Sequence, residues 1–75
     1  MTEKAIKALA AHAYVIAYHA NENQDRAINE IKELYAVVKK LYELDVISSK
    51  KRDMIMDRLS SEVKQGLDDY KKKTA

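Results

Sequence analysis

Between residues 27 and 41 apolar side chains return every three or four positions, at Ala27, Ile31, Leu34, Val38 and Leu41. That spacing is the period of an α-helix buried along one stripe, and an extended strand would scatter the same residues over both its faces. Ile28, Tyr35 and Tyr42 widen the stripe on one side, Val37 and Leu44 on the other, while Asn29, Lys32, Lys39, Lys40 and Glu43 supply a solvated back. A second stripe follows at Met56, Leu59, Val63, Leu67 and Tyr70, with Ile55 at its edge. Gly66 also points roughly inwards there. A glycine inside a helix costs about 1 kcal/mol in propensity, so its position predicts a close helix crossing.

Nothing in the chain breaks this pattern into sheet. One glycine and no proline in 75 residues, with many Ala, Leu, Lys, Glu and Ile, predict an all-α fold. The arrangement expected is a three-helix bundle of antiparallel helical hairpins in a single domain over 1–75. Thr2 is placed to cap a first helix, about 3–20, with Glu3 in its first turn. Asn21, Glu22, Asn23 and Gln24 interrupt the pattern. Either asparagine can cap a second helix, about 23–44, and Asn21 with Gln24 has capping-box spacing. The link Asp45, Val46 and Ile47 leads into Ser48 and Ser49, either of which can cap a third helix, about 49–70, leaving 71–75 as a frayed tail. The segment from Leu41 to Val63 resembles the short helical hairpins of oligomerisation modules, without the glycine usual at their turn.

The first helix differs from the other two. Ile6, Leu9, Ala13, Ile16 and Ala20 form its main face, yet Ala11, Tyr14, Val15 and Tyr18 occupy the far side where charge would be expected. A domain this short buries only about 60% of its unfolded surface and has no cysteine to staple it. Self-association as a homodimer is therefore expected, with Ala11, Tyr14, Val15 and Tyr18 as the contact surface, because tyrosine offers apolar area with a polar tip. The competing reading has the third helix covering both tyrosines within one chain.

Groups suited to chemistry are scarce. His12 and His19 lie on nearly the same side of the first helix, about 10.5 Å apart along its axis, too far for one metal ion to bridge. They are read as rim histidines with one nitrogen hydrogen-bonded, and as pH-sensitive positions should they meet an interface. No metal and no cofactor are expected. The serines fall at helix caps or on the surface without a histidine in register, and Asp53, Asp57, Asp68 and Asp69 lie on polar faces, so no enzyme is expected.

Charge is nearly balanced, at a formal +2, which argues for no ligand by itself. Its placement is more informative. Lys50, Lys51 and Arg52 occupy the first turn of the third helix, where the helix dipole disfavours cations, and Lys39 and Lys40 close the second helix. With exposed Met54 beside them, these residues form a candidate contact for an anion or an acidic partner. Interleaved Glu43, Asp45, Asp53 and Asp57 weigh against a nucleic-acid groove. No apolar run reaches the roughly 20 residues that span a bilayer, so no membrane partner and a cytoplasmic location are expected. The functional expectation is a small protein-protein interaction module, a regulator or inhibitor of the type bacteria and phages encode. A nucleic-acid-binding regulator using the Lys50 turn, and a structural subunit of a larger assembly, are the alternatives.

Overall fold

The computed structural model describes residues 2–74, and these are helical apart from short connections: α1 spans Glu3–Tyr18, α2 spans Gln24–Glu43 and α3 spans Ser49–Thr74. Each helix begins where a short polar side chain can accept a free backbone amide. Thr2 Oγ1 accepts from Ala5 N–H at 3.1 Å, Asn23 Oδ1 from Arg26 N–H at 3.1 Å, and Ser48 Oγ from Lys51 N–H at 3.1 Å. Asn23 and Ser48 are therefore the caps among the alternatives the sequence left open. Asn21, whose spacing to Gln24 suggested a capping box, instead donates through its side-chain amide to the Tyr70 hydroxyl at 3.0 Å.

Two boundaries differ from the sequence expectation. The first helix ends at Tyr18 rather than near residue 20, because the chain tightens into a 3-10 turn at Ala20–Glu22 before Asn23 adopts the extended backbone of a cap. The third helix runs on through Lys71, Lys72 and Lys73 to Thr74, where a frayed tail was expected; Ala75 lies outside the described residues. Three lysines in the last turn oppose the negative end of the helix dipole. Tyr70, at the start of that turn, is anchored to Asn21 and to the Tyr18 ring.

The link between α2 and α3 has a defined geometry. Asp45 takes a left-handed backbone, φ 60°, while Val46 N–H bonds to the Leu41 carbonyl at 2.9 Å and Asp45 N–H to that of Tyr42 at 3.0 Å. This pair of bonds is the Schellman helix ending, with aspartate in the position glycine usually fills. The turn swings Ile47 inwards, 7% exposed, while Val46 remains 53% exposed.

The helices pack unequally. α1 and α3 share the most extensive contact. Along them sequence positions rise together, from Glu3 beside Arg58 to Tyr14 beside Asp69. Along α2 and α3 the order reverses: the Arg52 guanidinium lies 4.3 Å from the centre of the Tyr42 ring, and the Tyr35 hydroxyl is 2.7 Å from that of Ser60. Gly66 fulfils its predicted role. A Cβ added there would lie 2.6 Å from the Tyr14 carbonyl oxygen and 2.9 Å from the Ala17 Cβ, so the two backbones meet at a spot only glycine fits.

The core is concentrated towards one end of the molecule. Ile6 and Ala13 of α1, Val38 of α2, Ile47 of the link, and Ile55 and Leu59 of α3 form its buried centre. Leu9, Leu34, Leu41, Met56 and Val63 flank it, half-buried. Towards the other end, where α1 finishes, α2 begins and α3 finishes, Ile28 and Leu67 remain 51% and 42% exposed. Among the described residues no helix is long and apolar enough to cross a membrane.

Candidate functional site

Tyr14 and Tyr18, expected in a self-association contact with cover by the third helix as the competing reading, are half-buried against the C-terminal half of α3. The Tyr14 hydroxyl donates to Asp69, which also accepts from the Gln65 side-chain amide at 2.8 Å. Tyr18 stacks on Tyr14, presents its ring to the edge of Tyr70, and lies under the Lys73 ammonium at 5.5 Å. The physical reason is the close approach of α1 and α3 at Gly66, which brings Asp69 to Tyr14 and Tyr70 to Tyr18, while the continuation of α3 beyond residue 70 adds Lys73 over Tyr18. The hydrogen bond raises the Tyr14 hydroxyl above its ordinary pKa and holds the Asp69 carboxyl below its own. What stays open on that side of α1 is Ala11 and Val15, the latter 50% exposed.

His12 and His19 are both exposed and line one side of a shallow cleft of about 260 Å³ whose other side is Arg26 and Glu30 of α2. His19 Nδ1 lies 3.1 Å from Glu22 Oε1, and Arg26 Nε donates to Glu30 at 2.8 Å. Among the described residues no three histidine or acidic side chains come together as a metal site.

At the opposite end Lys39, Lys40 and Lys50 are exposed, Lys51 and Arg52 half-buried, and Met54 is 57% exposed. Arg52 is committed elsewhere: it covers the Tyr42 ring and pairs with Asp53 at 3.0 Å. The sequence grouping omitted two basic residues that α1 and α3 bring here. Arg58 donates to Glu3 at 2.9 Å, and its bond and charge, with the charges of Lys51 and Lys7, lower the Glu3 carboxyl below its usual range. This end therefore carries interleaved charges of both signs.

A larger concave surface than the histidine cleft lies where the core thins. Ala17, Ala20 and Ala27 form the floor of an open trough of about 530 Å³, with Ile28 and Ile31 of α2 on one wall and Val63, Leu67 and Tyr70 of α3 on the other. Its one charged lining residue is Lys71. Neither Ile28 nor Leu67 was singled out as a contact residue in the sequence. The available signal was the coincidence of small residues, Ala17, Ala20 and Ala27, on faces whose neighbours are large, since alanines opposite isoleucine and leucine leave space that two helices cannot close.

Comparison with known proteins finds no family model, no curated protein and no solved structure that matches the chain.

Proposed function

We propose that this chain is a small helical protein-protein interaction module, a three-helix bundle of antiparallel hairpins in which α2 runs against both α1 and α3, acting as a regulator or inhibitor by contact. The observation that carries this reading is the apolar trough walled by Ile28, Ile31, Val63 and Leu67. Water-exposed side chains of this kind, gathered in a concavity instead of scattered, mark a place where another polypeptide excludes solvent. Seven of the trough's eleven lining residues are Ala, Ile, Val or Leu, and the Asn21 amide and Tyr70 hydroxyl among the rest are bonded to each other, a lining closer to a protein-contact surface than to a pocket whose polar groups orient a small ligand. The basic turn at Lys50 is the weaker candidate for a contact, because Arg52 and Arg58 are already paired within the chain.

The test is affinity capture from the native host with the wild-type chain and with an Ile28→Asp, Leu67→Asp variant. Both residues are already about half exposed, so the variant should keep its helical circular dichroism. The wild-type chain should retain a polypeptide, its own copy or another, that the variant releases. Identical retention by both chains overturns the reading.

A further inference from the structure

The trough is unfilled by this chain, and three features point to the same occupant. The first is area. The accessible surface is 5346 Å², whereas a compact monomer of 8.6 kDa exposes about 4,700 Å². The excess, about 650 Å², is spread over an elongated body of 43 × 21 × 16 Å, and that shape leaves room for a partner to cover the roughly 800 Å² that each side contributes to an interface of standard size.

The second feature is shape. Ile28 stands at the lip of the trough, 51% exposed, at the crest of α2. A crest beside a hollow is a self-complementary profile, because a two-fold rotation sets each crest into the other hollow. The third is charge. Asp25 precedes Ile28 by three residues and so shares its helix face; it is exposed and forms no ion pair among the described residues, whereas its neighbour Arg26 is engaged by Glu30. The one charged residue lining the trough is of opposite sign, the exposed Lys71.

We propose that two copies of this chain associate about a two-fold axis. Each sets Ile28 and the N-terminal half of α2 into the trough of the other, and Asp25 of each copy pairs with Lys71 of the other. This rests on the reading of the trough as a protein-contact surface and names its occupant. The contact differs from one through the outer side of α1, because Tyr14 and Tyr18 are engaged by α3 of their own chain. It also places the dimer at the end of the molecule where the core is thinnest, so that association supplies apolar burial the single chain lacks.

Sedimentation equilibrium of the full chain tests this. The wild type should behave as a dimer in reversible exchange with monomer, and Ile28→Asp should be monomeric with unchanged helical circular dichroism. Asp25→Lys and Lys71→Asp should each raise the dissociation constant about tenfold, the effect expected from two exposed ion pairs. Combining the two reversals should recover most of the wild-type affinity. That recovery does not depend on Ile28→Asp folding well. A wild type that stays monomeric overturns the proposal, and so does a combined variant that recovers nothing. A dimer that survives Ile28→Asp but is lost in Val15→Asp also overturns it, by moving the contact to α1. A monomeric wild type that still captures a different protein through the trough overturns the dimer alone and leaves the protein-binding reading standing.

Discussion

Gly66 is the residue at which local preference and tertiary packing are most directly opposed. Considered as helix alone, Gly66→Ala should stabilise α3 by about 1 kcal/mol, since alanine restricts the unfolded chain more and solvates the backbone less. In the fold the new methyl would lie 2.6 Å from the Tyr14 carbonyl oxygen and 3.1 Å from the Tyr18 nitrogen. These are backbone atoms and cannot rotate aside as a side-chain tip can. Forcing a methyl into such a contact typically costs about 1–3 kcal/mol through helix displacement. The collision should therefore win, and thermal denaturation should show a lower midpoint for Gly66→Ala than for the wild type. A raised midpoint would mean that the backbones of α1 and α3 leave room for a methyl group. The close crossing was legible in the sequence because glycine weakens a helix interior, and on an apolar face that loss is offset where a neighbouring helix needs the space of a side chain. The backbone it would meet was not legible, since the partner lies about fifty residues away in the chain.

At the scale of elements, the seam between α1 and the end of α3 is fastened by Tyr14 and Asp69, and its strength depends on pH. The hydrogen bond from the Tyr14 hydroxyl, seconded by that from Gln65, lowers the Asp69 carboxyl from its ordinary value of 3.8. A carboxyl depressed in the folded state contributes stability that is present above 3.8 and is lost as pH falls through the lower folded value. The same bond raises Tyr14 from 10.0, so its contribution is present below 10.0 and is lost as pH rises through the higher folded value. Tyr14→Phe should accordingly lower the denaturation midpoint at neutral pH, and the gap from the wild type should narrow as the carboxyl protonates. A gap that is constant from neutral to strongly acid pH would show that the hydroxyl bond contributes nothing. Helix existence and the two apolar stripes were readable from spacing alone. The fate of the tyrosines was open between an interface and cover by the third helix, because the groups that meet them, Asp69 and Tyr70, lie about fifty residues away in the chain, where no local period reveals them. Ile47 was likewise read as part of a link. Only the left-handed backbone at Asp45, a position where glycine is usual, turns that link so that one β-branched residue enters the core and its neighbour does not.

The whole molecule is an elongated body, 43 × 21 × 16 Å, whose stability is unevenly distributed along its length. Val38, Ile55 and Leu59 are fully buried near the end closed by the link. At the other end the N-terminal half of α2 contributes one buried residue, Ala27, while Ile28 faces solvent. Local opening free energy follows the apolar area that opening exposes, so amides in the first half of α2 should exchange with solvent through local openings well below the global unfolding energy. Amides around Leu59 in α3 should exchange only on global unfolding. Hydrogen exchange followed by mass spectrometry checks the order, and dilution adds a sharper criterion. If the second copy seats Ile28 in the trough, protection at residues 24–31 should rise with protein concentration, because an association that requires the closed form stabilises it by mass action. Protection around Leu59 should increase only as far as dimerisation raises the stability of the whole chain. Equal protection of the two regions in dilute solution would refute the uneven distribution. Concentration-independent protection at residues 24–31, in a chain that sediments as a dimer, would place the contact elsewhere on the surface.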